Sequence, residues 1–280
     1  MIKTAIVGCG YWGKKLIRNM EQVASVDMLY DKELPGTSFR SILENKEIEA
    51  VVIALPATLH YEFTKKALEA GKHVLVEKPM TTNSKQAQEL IDIAKREGKI
   101  LMVDSTFLYH SAILKIKEII DSGEIGKVNY FDSQRINWGT LRPDVNVAWD
   151  LAPHDISILN FLFKYKPIST HLTKQEELAH LIIEYQEEFI AHIYVSWLSP
   201  IKIRQIMIGG SKKTIVFDDI EPINKVKIYD NNTQEVEIPM LDFKEPLLRM
   251  CETFISSIKN NKKPLTDGQS GLEVIKILEL

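Results

Sequence analysis

Thr4-Ala5-Ile6-Val7-Gly8-Cys9-Gly10-Tyr11-Trp12-Gly13 joins a short apolar run to three glycines in a G-x-G-x-x-G spacing. Such a run reads as a buried strand, and the residues after it begin a helical pattern. Gly8 permits a tight turn, Gly10 lets the backbone approach a pyrophosphate, and Gly13 lets the helix lie close to the strand. The helix start offers unpaired N–H groups and positive partial charge to phosphates. Glycines alone are weak evidence, but here they sit between a strand and a helix, the context a dinucleotide needs. Asp31, after the second apolar run, can accept from the adenosine ribose hydroxyls and would repel a 2′-phosphate. Lys32 beside it can pair with that phosphate, so the reading is NAD with NADP possible.

Four further apolar runs follow: Val26–Tyr30, Ala50–Leu55, His73–Val76 and Ile100–Val103. Continuous runs of this length suit parallel strands buried on both faces. Helical stretches lie between them: Tyr61–Ala70, ending at Gly71, and Ser84–Glu97, ending at Gly98, a suitable left-handed cap. The alternation predicts α/β architecture, a doubly wound parallel sheet. Glu77-Lys78-Pro79 places a lysine at the carboxyl end of the fourth strand, where open parallel sheets bind ligands.

The pattern changes after residue 106. A helix over Ile113–Ile120 precedes strands of alternating character. Glu188–Trp197 puts Phe189, Ala191, Ile193, Val195 and Trp197 on one face. Arg204–Ile208 and Thr214–Phe217 flank Gly209-Gly210-Ser211-Lys212, a hairpin signal, and Asn231-Asn232 marks another turn. A late helix carries Leu247, Cys251, Phe254 and Ile258, and Gly271–Leu280 reads as a last helix. The expected domains are 1-106, a dinucleotide-binding parallel sheet, and 107-280, a C-terminal α+β domain with a large, mainly antiparallel sheet. Ile190 and Tyr194 point away from the covered face, which suits a homodimer or homotetramer interface.

Composition bounds the class. In 280 residues, 45% are hydrophobic and 26% charged, the balance of a globular protein with ample core. A net charge of −3 gives no reason to expect a nucleic-acid or membrane partner. Cys9 and Cys251 form neither a disulfide framework nor a zinc pattern, no metal is expected, and the cytoplasm is the default compartment. Cys9 reads as a small side chain that fits the glycine loop.

Gly8-Cys9-Gly10-Tyr11-Trp12-Gly13, Leu55-Pro56-Ala57-Thr58-Leu59-His60, Glu77-Lys78-Pro79 and Trp149-Asp150-Leu151-Ala152-Pro153-His154-Asp155 occur in this order. The chain so resembles the glucose–fructose oxidoreductase, inositol dehydrogenase and rhizopine-catabolism (Gfo/Idh/MocA) family over essentially its whole length. That resemblance implies an N-terminal Rossmann domain and a substrate-binding, oligomerising second domain. It also implies an NAD(P)-dependent dehydrogenase acting on CH-OH groups of a sugar, cyclitol or nucleotide-sugar. Thr106-Phe107-Leu108-Tyr109 and Arg142-Pro143-Asp144-Val145-Asn146 resemble a bacterial branch associated with sugar and nucleotide-sugar metabolism. Lys78, Asp150 and His154 correspond to the family's catalytic group. Beyond the glycine loop and Asp31, cofactor contacts are expected from Tyr11 and Trp12, from Ala54, Leu55 and Pro56, and from His60, Glu77 and Lys78. His60 reads equally as a helix-start structural residue, and Glu77 as a residue that orders its loop.

Alcohol oxidation sends a hydride to nicotinamide and a proton to a base. An imidazole suits that transfer near neutral pH, so His154 is the candidate base. Lys78 as a cation stabilises alkoxide charge. Asp150, four residues before His154, shares its face if the stretch is helical, and orients substrate or imidazole; a helix N-cap is the alternative. Lys78 and His154 are expected to touch substrate, with Tyr109, Arg135 and Asn137 as further candidates. For Arg135 and Asn137 a strand-face ion pair is the alternative, and for Tyr109 core packing. Asp155 reads as support for His154 or a helix cap. Ala57, Asp104 and Ser105 depart from the family's usual residues near the nicotinamide. The chain is short for the family, which implies a more open pocket or a carboxyl end that continues beyond this sequence. A non-enzymatic dinucleotide sensor on the same fold, or a reductase of another carbonyl or imine, is the rival reading.

Overall fold

A computed structural model describes residues 1–33, 35–139 and 144–279, without the side chain of Glu187. Arg142 and Pro143, singled out above, and the terminal Leu280 lie outside the described residues. The chain forms two compact units: Met1–Tyr109 with Lys244–Glu279, and His110–Phe243.

The first unit begins with Lys3–Val7 (β1), Tyr11–Met20 (α1), Ser25–Tyr30 (β2), Phe39–Glu44 (α2) and Ala50–Ile53 (β3). Ala57–Glu69 (α3), His73–Glu77 (β4), Ser84–Arg96 (α4) and Leu101–Asp104 (β5) follow, then a short 3-10 helix, Thr106–Tyr109. The five strands are parallel, in the order β2-β1-β3-β4-β5. Ala5, Ile6, Val7, Val51, Val52 and Ile53 are fully buried, as continuous apolar runs covered on both faces should be. The Asn83 side chain caps α4 by accepting from Gln86 N at 2.9 Å. The helix stops before Gly98, whose φ is +61°. Two local features differ from expectation. α3 starts at Ala57 rather than Tyr61, because Pro56 suits the position ahead of a first turn. α2 was not expected; it is six residues long and buries only Ile42, too little to leave a periodic signal.

The second unit contains Ser111–Asp121 (α5), Val128–Trp138 (β6) and Val147–Leu162 (α6). Its remaining strands are Pro167–Lys174 (β7), Leu178–Tyr185 (β8), Ile190–Ser196 (β9), Leu198–Gly210 (β10), Lys213–Asp218 (β11), Val226–Asp230 (β12) and Val236–Glu237 (β13). They form one eight-stranded sheet, β13-β12-β11-β10-β6-β9-β8-β7, antiparallel except for the parallel pair β6/β9. α6 packs on β6, β8 and β9 and covers one face. Phe189, Ala191, Ile193, Val195 and Trp197 are all buried, as the alternation predicts. Gly209 and Gly210 lie inside β10 rather than in the hairpin turn. A Cβ on Gly209 would fall 1.9 Å from the Tyr130 ring, so close approach of a neighbour, not a turn, requires this glycine.

Pro246–Asn260 (α7) and Gly268–Leu278 (α8) return to the first unit. The single expected boundary near residue 106 therefore differs from the observed division. α7 buries Leu247, Met250, Cys251 and Phe254, and packs on α1 and the 3-10 helix. Val103 N donates to Thr266 O at 2.7 Å, so the segment before α8 caps the edge strand β5. An apolar stripe shows in the sequence that a helix needs a partner, but not which unit supplies it. Among the described residues, no helix is long and apolar enough to cross a membrane.

Candidate active site

In the first unit the strand order reverses at β1, so the crevice outside the carboxyl ends of β1 and β3 is the switch point of the sheet. The glycine loop and Ala54-Leu55-Pro56 border it. Gly8 has φ +96°, and a Cβ there would lie 2.3 Å from the Ala54 carbonyl oxygen. A Cβ on Gly13 would lie 2.0 Å from the Gly8 oxygen. The protein's own packing demands these two glycines. Gly10 is different, because nothing lies within 4 Å of the place its Cβ would take. It is also the N-cap of α1, and no side chain caps the first turn there. Bare backbone beside uncapped amides is the arrangement a dinucleotide pyrophosphate fits.

Asp31 closes the loop from the end of β2. Its Oδ2 accepts from Cys9 N at 2.7 Å and its Oδ1 from Glu33 N at 3.1 Å. These N–H donors, Cys9 foremost, hold its carboxyl below the usual carboxylate range. Tyr11 is exposed, with Lys15 Nζ 4.4 Å from its ring centre. Trp12 turns the other way, and its Nε1 donates to Asp104 Oδ2 at 2.8 Å.

Lys78 follows β4 directly. The buried His60 ring ties this segment to the one after β3: Nδ1 is 2.7 Å from Pro79 O and Nε2 is 2.7 Å from Leu55 O. That is the structural reading of His60. Glu77 Oε2 accepts from Lys78 N at 3.2 Å, which orders the loop. Tyr109 is buried, with its hydroxyl 3.2 Å from Thr266 Oγ1, and burial pushes its phenol up. Its side chain packs in the core of the first unit, so the alternative of core packing describes it better than pocket lining. Asp104, buried at the end of β5, is the residue whose importance the sequence reading missed. The available signal was its place one step beyond an apolar run, in register with Glu77.

In the second unit, α6 carries Asp150, Pro153, His154 and Asp155. Asn146 caps the helix by accepting from Trp149 N at 3.2 Å, so the cap falls there and not at Asp150. Asp150 and His154, both half-buried, then share a face one turn apart. Trp197 Nε1 donates to Asp150 Oδ2 at 3.2 Å and fixes the carboxylate. Asp155 is fully buried and takes both arms of Arg135, Nε to Oδ2 at 2.8 Å and a terminal nitrogen to Oδ1 at 2.9 Å. This is the strand-face ion pair offered above as the alternative for Arg135, and it ties α6 to β6. Asn137, half-buried, lies two residues along the same strand face. Among the described residues, no group of three His, Cys, Asp or Glu side chains is placed to hold a metal ion.

Two family models match. One, described as an oxidoreductase family with an NAD-binding Rossmann fold, matches residues 30–105. The GFO/IDH/MocA C-terminal domain matches residues 113–216. The chain belongs to the Gfo/Idh/MocA oxidoreductase family. It is 40% identical over 97 residues to dTDP-3,4-didehydro-2,6-dideoxy-alpha-D-glucose 3-reductase of Actinomadura kijaniata, covering 35% of this chain and 29% of that protein. It is 29% identical over 189 residues to scyllo-inositol 2-dehydrogenase (NADP(+)) of Bacillus subtilis, covering 61% of this chain and 48% of that one. These alignments span less than two thirds of either relative. An inositol dehydrogenase homologue from Azotobacter vinelandii, solved with NADH and myo-inositol, has the same fold. Its TM-score is 0.87 at 18% identity, covering 99% of this chain and 93% of that one. Residues 30–105, within the first unit, match the NAD-binding Rossmann fold of that family.

Proposed function

We propose that the protein is an NAD(P)-dependent dehydrogenase or ketoreductase acting on a secondary alcohol or ketone of a sugar, cyclitol or nucleotide-linked sugar. The observation that carries the reading is Lys78 at the carboxyl end of β4, in the same sheet whose glycine loop leaves Gly10 bare. The nicotinamide dinucleotide supplies the hydride acceptor or donor when bound. Gly10 and the first-turn amides of α1 hold its pyrophosphate, and Asp31 its adenosine ribose. Lys78 places an ammonium against the charge that develops on the substrate oxygen. His154 takes the hydroxyl proton in oxidation and returns it in reduction. Asp150, fixed by Trp197, orients substrate or imidazole, and Asn137 binds a substrate hydroxyl.

The test is a panel of nucleotide sugars, free sugars and inositols with NAD and NADP, read at the reduced-nicotinamide absorbance. Turnover on one class supports the reading. Firm dinucleotide binding with no turnover on any class favours a sensor instead. The uncovered sheet face in the second unit exposes Ile182 and Ile190, beside a His180–Tyr194 stack at 4.4 Å. That face suits a homodimer or homotetramer, and light scattering that finds a monomer at micromolar concentration counts against it.

A further inference from the structure

We infer that Glu77 and Asp104 hold one proton between them, carried on Glu77, and that Asp104 is thereby a positioning residue for Trp12 and for the Glu77-Lys78 segment. The two residues are register partners at the ends of β4 and β5. In-register neighbours of a parallel pair project to the same face, about 4.8 Å apart. Asp104 has both oxygens occupied: Trp12 Nε1 donates to Oδ2 at 2.8 Å and the Thr106 hydroxyl donates to Oδ1. Two donors, one on each oxygen, are the arrangement of an ionised carboxylate. Glu77 is the complement. Its Oε2 accepts from Lys78 N, whereas its Oε1 is sealed from solvent and has no partner of good hydrogen-bond geometry. A bare carboxylate oxygen buried beside a second carboxylate costs both desolvation and like-charge repulsion. A proton on Oε1 removes that charge and turns the oxygen into a donor toward Asp104.

The surrounding groups agree. Burial, then the Asp104 charge, push the Glu77 carboxyl well above the usual range, and Lys78 opposes them more weakly. The other titratable groups that feel Asp104 are Tyr109 and Cys251, both pushed up chiefly by burial. A neutral Glu77 leaves the ammonium of its neighbour Lys78 uncancelled, a consequence for turnover that rests on the proposed function. The proton itself rests on the register, burial and hydrogen bonds of this pair and not on that function.

The test reads the proton directly. The infrared spectrum of the full chain in D2O at neutral pH should show a protonated-carboxyl carbonyl band that Glu77→Gln removes. Asp104→Asn should move the pH at which the band disappears toward acid by about one unit or more. The folding constant of the wild type should fall relative to Glu77→Gln by about tenfold per pH unit, from about pH 4.3 up to the point where the band is lost. The sign follows from a raised folded-state pKa: stability is complete below the unfolded value and drains as pH rises. No band in the wild type, parallel stability curves, or an unmoved midpoint in Asp104→Asn each overturns the inference. If Glu77→Gln does not fold, wild type against Asp104→Asn decides through the band. Neither readout uses substrate, so failure of the dehydrogenase reading and failure of the shared proton are separate results.

Discussion

The glycine loop of the first unit and helix α6 of the second carry most of the candidate chemistry, and they are built in opposite ways. The loop is a site made by leaving atoms out. Two of its glycines are required by contacts within the protein, and Gly10 alone is bare toward open space. α6 is a site made by locking side chains in. Asn146 caps it, Trp197 holds Asp150, and the buried Arg135–Asp155 pair anchors the residue after His154. A backbone site presents amides at fixed positions whatever the neighbouring side chains do. A side-chain site is only as exact as the residues behind it. The two regions should therefore fail differently when mutated.

The largest effect should come from the anchor of α6. Arg135 and Asp155 have side chains 4% and 2% exposed, so Arg135→Ala strands a buried carboxylate. Removing one partner of such a pair costs about 3–5 kcal/mol. Denaturant unfolding should show that loss, and the double change Arg135→Met with Asp155→Leu should recover much of it, since the uncompensated charge is gone. If the single variant is as stable as the wild type, α6 is held by something else and the contrast with the loop collapses.

Next come the residues proposed to act on substrate. His154→Ala should lower turnover by about a hundredfold or more, and Lys78→Ala by a similar or larger factor. Dinucleotide affinity should survive both, because pyrophosphate and ribose contacts are assigned to the loop. The double variant should lose less than the product of the two single losses if both serve one transition state. Wild-type turnover in His154→Ala, or losses that simply multiply, would remove the role assignment.

The same contrast explains what could be read from the sequence. The parallel sheet was legible because strands buried on both faces are apolar without interruption, and Val51-Val52-Ile53 and Val74-Leu75-Val76 cannot be mistaken for surface. The glycine loop was legible because steric exclusion leaves no alternative residue at Gly8 or Gly13. Partnerships between distant side chains were not. Nothing in Arg135 distinguishes a residue that binds a hydroxyl from one that binds Asp155. Nothing in Tyr109 shows that Thr266 will reach its hydroxyl. Asp104 looked like a departure from pattern until the register of β4 and β5 set it beside Glu77. The return of α7 and α8 to the first unit was hidden for the same reason, since an apolar stripe does not name its partner.

A smaller effect is expected from Gly10→Val. The position has φ −68° and open space around it, so the chain should fold normally. A branched side chain there should meet the pyrophosphate instead, and overpacking of about 1–3 kcal/mol corresponds to roughly fivefold to 150-fold weaker dinucleotide binding. Gly13→Val, by contrast, should impair folding itself, because its Cβ would lie 2.0 Å from the Gly8 oxygen. Calorimetry of both variants separates the glycine that serves the ligand from the glycine that serves the fold. Unchanged affinity in a folded Gly10→Val protein would mean that the open space is not the pyrophosphate site.

The smallest effect concerns Asp31, where the two modes of construction meet, because one side chain anchors the loop and is also proposed to read the ribose. Asp31→Asn keeps an acceptor for Cys9 N and loses the charge that disfavours a 2′-phosphate, so the ratio of NAD to NADP affinity should narrow with the loop intact. A half-exposed charge is worth about 0.2–1 kcal/mol, which corresponds to a change of at most about fivefold, and Lys32 beside it should keep the change at the low end. Asp31→Ala removes the anchor as well, and should weaken both dinucleotides together. Acid supplies an independent check. The N–H donors of Cys9 and Glu33 lower the folded-state pKa of Asp31, so its contribution to stability is present above the unfolded value of about 3.9 and is lost as pH falls through the lower folded value. The stability gap between wild type and Asp31→Asn should accordingly close below about pH 4. A wild type that prefers NADP outright, or a gap that persists in acid, would show that the Asp31 carboxylate neither reads the ribose nor holds the loop through its charge.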